Sequence, residues 1–138
     1  MFNSSKSLDV FKGSYLDTEK LAYTIGYASE LFKALSEPTR ILIFMYLAKR
    51  GEASVKEIAE ALGRPENLVS YHISAIKRLG IISFRKVGKN VYYKLVDDRL
   101  KKMIQIAIEL VENRPEPLIR PRRLKFQVQV DNVVKNIH

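Results

Sequence analysis

The stretch SVKEIAEALGRPENLVSYHISAIKRLGIISFRKVGKNVYYKL, residues 54–95, decides the fold. Its first four residues, Ser54-Val55-Lys56-Glu57, form a capping box, in which the serine oxygen and the glutamate carboxylate each take an otherwise unpaired backbone N–H. The spacing predicts a short helix with Val55, Ile58, Ala59 and Leu62 inward, stopped by Gly63. Pro65 is suited to the start of a second helix, whose apolar side is Val69, Ile73, Ile76 and Leu79 and which stops at Gly80. The period then changes. Residues 81–86 and 90–95 read as two strands, and Gly88-Lys89 between them suits a two-residue type II′ turn.

Working outward, residues 38–49 predict a strongly apolar helix with Pro38 in its first turn. Lys49 and Arg50 stand at its negative end, and Gly51 follows as a stop. Residues 17–35 predict a helix with one stripe of Leu21, Ile25, Ala28, Phe32 and Leu35 and a second of Tyr23, Tyr27 and Leu31. A last major helix is expected over 99–113 after Asp97-Asp98, with apolar residues around most of its circumference. Neither flanking helix can bury all its apolar surface within so small a domain, so a symmetric partner is expected to cover Tyr23, Tyr27, Leu31, Ile104, Ile108 and Val111. The organisation expected is a flexible arm over 1–16, a domain over 17–113, and a proline-containing linker with a basic tail over 114–138. The segment 122–138 alternates like a strand at Leu124, Phe126, Val128 and Val130. It also fits a helix face through Phe126, Val130, Val133, Val134 and Ile137, and its length favours the helix.

The 138 residues fit one domain with extensions, and the absence of cysteine excludes disulfides, thiolate metal sites and cysteine nucleophiles. With His72 and His138 the only histidines and no glycine-rich phosphate loop, no nucleophile, base and orienter can be assembled, so an enzyme is not expected. The longest apolar run, Ile41 to Ala48, falls far short of the ~20 residues of a membrane span. The amino terminus also lacks a signal-peptide core, so a cytoplasmic protein is expected. The net charge is +9, and it is unevenly placed: residues 1–76 are neutral, whereas 77–102 carry nine basic groups against two acidic. Residues 114–138 add six basic against two acidic, and basic charge confined to particular segments is the footprint expected for phosphate.

Two short helices, an apolar helix before them and a basic hairpin after make a mainly α fold with a small β wing, a winged helix-turn-helix. The predicted polar face of the second helix is Glu66, Asn67, Ser70, Tyr71, Ser74, Lys77 and Arg78. Asparagine can pair bidentately with adenine, and lysine or arginine with guanine or phosphate. The hairpin adds Arg85, Lys86, Lys89 and Lys94.

Leu31 to Asp97 resembles the ArsR-type family of bacterial and archaeal winged-helix repressors. The matching motifs are Pro38-Thr39-Arg40, Leu62-Gly63, Val69-Ser70-Tyr71-His72-Ile73, Leu79-Gly80-Ile81-Ile82 and Gly88-Lys89-Asn90-Val91-Tyr92-Tyr93-Lys94-Leu95. The resemblance implies a homodimer packed through its first and last helices and bound to a near-palindromic operator in double-stranded DNA. It places DNA contacts at Ser70, Tyr71 and His72, at Asn67 one turn earlier, and on the wing lysines. The full expected contact set is Arg64, Asn67, Ser70, Tyr71, His72, Ser74, Lys77, Arg85, Lys86 and Lys89. His72 equally fits a half-buried histidine bonded to backbone. A protein-interaction winged helix within a larger transcription assembly is the competing reading, against which the basic wing argues.

The chain departs from the metal-sensing members, which carry Glu-Leu-Cys-Val-Cys-Asp-Leu before the recognition helix. The aligned residues are Glu52-Ala53-Ser54-Val55-Lys56-Glu57-Ile58, with Ser54 and Lys56 in place of the thiolates, and residues 98–113 contain no histidine. No metal and no cofactor are therefore expected.

Overall fold

A computed structural model describes residues 17–114 and 127–137. The expected arm over 1–16 and residues 115–126 of the expected linker and tail, with Leu124 and Phe126, lie outside the described residues. The chain divides into two compact units, residues 1–33 and 34–138.

Helix α1, Thr18–Leu35, runs through the first unit and ends in the second. Asp17 accepts the Lys20 N–H at 3.0 Å and closes its amino terminus. The two expected stripes are only partly realised. Leu21, Ala28 and Leu31 are half-buried, whereas Ile25, Phe32, Tyr23 and Tyr27 remain exposed.

In the second unit, α2 spans Pro38–Arg50, β1 Ala53–Ser54, α3 Val55–Leu62 and α4 Glu66–Lys77. They are followed by β2, Ile82–Val87, β3, Asn90–Leu95, α5, Arg99–Glu112, and α6, Gln127–Ile137. Helix α2 runs through the centre and buries Leu42, Ile43, Phe44, Tyr46 and Leu47. Against it lie Ile58 and Leu62 of α3, Val69, Ile73 and Ile76 of α4, Ile82, Ile104 and Val133. Burying each such side chain contributes roughly 1.5–3 kcal/mol, enough for this cluster to anchor the inner faces of α3 and α4.

The sheet has the antiparallel order β1-β3-β2. Strand β1 escapes sequence patterning because it is two residues long, too short to show a period. The hairpin register pairs Val87 with Asn90 around Gly88-Lys89. Gly88 has φ +60° and, among the described residues, no other residue type has positive φ, as a type II′ turn requires. The tail from Gln127 is helical, and α6 packs on α2 and α3 with Val133 and Gln129 buried. Its inner face is Gln129, Val130, Val133 and Ile137, with Val134 exposed.

At α5, Asp97 accepts the Arg99 N–H at 2.9 Å and pairs with its guanidinium at 2.6 Å. That hydrogen-bonding holds the Asp97 carboxyl down at about 2. One expected contact with a partner is corrected here. Ile104 is only 8% exposed and belongs to the chain's own core, because α5 turns that position toward α2. Ile108 and Val111 stay exposed, at 36% and 68%.

Candidate nucleic-acid interface

The turn between α3 and α4 is built by backbone. Gly63 has φ +64°, and its N–H donates to the Glu60 carbonyl at 3.3 Å while the Arg64 N–H donates to that of Ala59 at 3.0 Å. This pair of bonds is a Schellman closure, which needs a left-handed residue. Pro65 caps α4 with extended backbone and no side-chain bond. Its carbonyl accepts the Leu68 and Val69 N–H groups, both at 3.2 Å, and Asn67 Oδ1 also accepts the Leu68 N–H at 3.0 Å. The α4 terminus is therefore closed without the usual serine or threonine.

With Val69, Ile73 and Ile76 fixed in the core, helical spacing turns Glu66, Asn67, Ser70, Tyr71, Ser74, Lys77 and Arg78 outward, and all seven are exposed. Arg64, in the turn before α4, is half-buried.

His72 does not belong to that face. It is 6% exposed, and Arg40 Nε donates to its Nδ1 at 3.1 Å. Its Nε2 lies 3.9 Å from Glu37 Oε2, and its ring meets that of Tyr71 edge-on at 5.4 Å. The expectation that His72 touches DNA is corrected: α4 places it one position round from Tyr71, on the side facing α2. The half-buried alternative is nearer, although the partner is a side chain and not backbone. Burial pulls its pKa below the usual histidine value, with Glu37 opposing and Arg40 and Arg64 adding to the fall.

In the wing, alternation separates neighbouring cations. Phe84 and Lys86 point to one face of β2 and Arg85 to the other. Lys77 Nζ sits 3.9 Å from the centre of the Phe84 ring, a cation–π contact joining the end of α4 to β2. Phe84 in turn meets Tyr93 at 6.3 Å. On the opposite face, Arg85 Nε donates to both carboxylate oxygens of Glu52, at 3.0 and 2.9 Å, and its guanidinium lies 5.2 Å from the Tyr92 ring centre. This bonding lowers the Glu52 pKa and raises that of Arg85. Lys86 and Lys89 are exposed.

Sequence reasoning missed Glu37, Arg40 and Glu52 as partners. Pro38-Thr39-Arg40 stood out as a motif, but nothing local connects Arg40 to a histidine 32 positions away. Among the described residues, no group of three or more His, Cys, Asp or Glu side chains could hold a metal ion. No described helix is long and apolar enough to cross a membrane.

Residues 37–83 match the model of the bacterial regulatory protein, arsR family. An uncharacterized HTH-type transcriptional regulator of Methanocaldococcus jannaschii is 40% identical over 60% of this chain and 93% of its own length. The cadmium resistance transcriptional regulatory protein CadC homolog of Staphylococcus aureus is 38% identical over 57% of this chain and 65% of its own. Among solved structures, the homodimeric winged helix-turn-helix DNA-binding domain of a possible ArsR-family transcriptional regulator from Mycobacterium bovis superposes with a TM-score of 0.62. It is 26% identical and covers 70% of this chain and 93% of its own. Together with the exposed polar face of α4, the core that anchors it and the basic hairpin beside it, these likenesses establish that the chain belongs to the ArsR family of winged helix-turn-helix transcriptional regulators.

Proposed function

We propose that the protein is a cytoplasmic homodimeric repressor, not an enzyme, that binds a near-palindromic operator. The observation that carries this reading is the exposed face of α4: its apolar side is locked in the core while Asn67, Ser70, Tyr71 and Ser74 stand in solvent beside Lys77. Such a face suits the major groove. In this reading Asn67, Ser70 and Ser74 meet base edges, and Arg64, Lys77, Lys86 and Lys89 meet phosphates. Tyr71 packs against the groove wall. The exposed apolar residues of α1 and α5, among them Tyr23, Tyr27, Ile108 and Val111, support a symmetric partner. In the dimer the two recognition helices stand about 34 Å apart, one turn of DNA.

The metal chemistry of the family's sensors does not fit these residues. Ser54 Oγ accepts the Glu57 N–H at 3.2 Å and the Glu57 carboxylate accepts the Ser54 N–H at 3.2 Å, so both side chains serve the helix cap. Lys56, where a second thiolate would stand, repels a cation, and zinc favours sulfur and nitrogen donors. DNA affinity is therefore expected to be unchanged by zinc, nickel or cobalt; a tenfold response would overturn that part of the reading.

The decisive experiment is fluorescence anisotropy with genomic duplex fragments. With about 6–10 phosphates neutralised per dimer, affinity is expected to fall roughly 10³–10⁵-fold between 50 and 200 mM salt. No binding even at low salt would favour a protein-interaction module instead.

A further inference from the structure

Glu52 lies just before β1, whose Ala53 pairs with Tyr93 and Ser54 with Tyr92. Alternation puts Glu52, Ser54, Tyr92 and Arg85 on the same outer face of the sheet, with Arg85 directly opposite Tyr92. The Glu52 carboxylate therefore reaches from the β1 edge across the central strand to the β2 edge. There it takes the Arg85 Nε on both oxygens, at 3.0 and 2.9 Å, with the guanidinium held over Tyr92. A second guanidinium nitrogen closes the fork on Oε1. A forked carboxylate is the geometric equivalent of two phosphate oxygens, the other anion that arginine takes bidentately.

The pair is also reachable. The Arg85 side chain is 57% exposed and that of Glu52 32% exposed. Most exposed ion pairs hold weakly in water, but the bidentate arginine–carboxylate fork is the geometry that persists there. A phosphate approaching the wing thus meets a guanidinium that already has an anion, while Lys86 and Lys89 meet it without one in ion-pair range among the described residues.

We propose that Glu52 is a specificity-determining residue for DNA binding: by holding Arg85 across the outer face of the wing as an internal stand-in for phosphate, it withholds one cation from sequence-independent attraction. The inference rests on the DNA-binding reading above. Without the carboxylate, Arg85 joins the phosphate contacts, every sequence is bound more tightly, and discrimination narrows.

The test is anisotropy with a mixed-sequence duplex of about 20 base pairs, roughly two turns of DNA, across 50–200 mM salt. It uses the wild type, Glu52→Gln, Arg85→Gln and the double variant. Glu52→Ala repeats the first without an amide that could itself accept from Arg85. Glu52→Gln and Glu52→Ala are expected to bind more tightly, with a log–log salt slope steeper by about 0.9 for the one phosphate gained. Arg85→Gln alone should stay within about twofold of the wild type, and the double variant should match Arg85→Gln. An unchanged slope in both Glu52 variants overturns the proposal. So does a double variant that keeps the gain, since net charge alone would then explain it. A wild type that binds no duplex even at the lowest salt overturns the DNA-binding reading as well. Normal wild-type binding with silent Glu52 variants sinks only the inference.

Discussion

Arg40 Nε donates a 3.1 Å hydrogen bond to His72 Nδ1, and through it the amino-terminal turn of α2 holds the recognition helix from its buried side. Glu37 completes the arrangement by accepting the Arg40 N–H at 3.0 Å, with its carboxylate 3.9 Å from His72 Nε2. Since Nδ1 accepts, Nε2 carries the proton of a neutral imidazole. Replacing His72 with alanine leaves Arg40 without this acceptor and α4 without its tie, a cost of about 1–3 kcal/mol. In a domain of this size that corresponds to a melting temperature roughly 3–5 °C lower per kcal/mol. Specific and non-specific DNA binding should fall together. A His72→Ala protein that melts normally but loses only specific binding would restore His72 to the DNA surface.

The same bond predicts a pH dependence. The folded-state pKa of His72 lies below its ordinary value of 6.5, with burial the first cause. The unfolded chain therefore binds more protons as pH falls, so this contribution to stability is complete above about 6.5 and is lost as pH drops toward the folded pKa. Protonation also places a donor where Arg40 needs an acceptor, and adds charge beside Arg40 and Arg64, only partly offset by Glu37. Chemical denaturation between about pH 7.5 and 5 checks this: His72→Gln should flatten the decline relative to the wild type.

Two residue sets proposed above to face DNA should separate by salt. Asn67→Ala and Ser70→Ala are expected to weaken operator binding by about 1–3 kcal/mol for each good base contact and to leave mixed-sequence DNA little affected. Lys86→Ala and Lys89→Ala should weaken all duplexes alike and flatten the salt slope by about one unit for each phosphate no longer neutralised. Equal and salt-independent effects in both sets would remove the assignment.

On α5, neighbouring turns should respond differently to one substitution. Ile108→Glu and Val111→Glu place charge on exposed positions and are expected to give a folded monomer by sedimentation velocity. Ile104→Glu buries a carboxylate in the core and should abolish cooperative melting instead. A wild type monomeric at micromolar concentration would defeat the dimer.

Gly63 offers a test of how the carboxy-terminal helix meets the turn. A Cβ there would lie 2.6 Å from Asn132 Nδ2, and φ is +64°. Gly63→Ala should cost about 1–2 kcal/mol from the left-handed backbone alone, plus the displacement of Asn132. Adding Asn132→Ala should recover the second part only, as thermal melting of the single and double variants would reveal. Full recovery would mean the backbone conformation is not strained.

Elements governed by a local rule were legible in the chain before any packing was considered. The Ser54–Glu57 capping box, the Gly63 stop and the Gly88-Lys89 turn are each decided by residues within a few positions, and hydrophobic period placed Val69, Ile73 and Ile76 inward. The polar face of α4 followed from that same period. Interactions across the fold had no local signature. Helical spacing puts His72 at the border between the buried and exposed faces, and the packing of α4 on α2 is what turns it toward Arg40. Ile104 and Ile108 lie one turn apart on the same apolar helix, and the position of α5 against α2 makes the first core and leaves the second outside. Arg85 and Lys86 read alike as wing cations, yet strand pleating sends them to opposite faces, and one finds Glu52, brought near by the pairing of β1 with β3. Periodicity fixes which way a side chain points from its own element, whereas the identity of what it meets depends on how the elements pack.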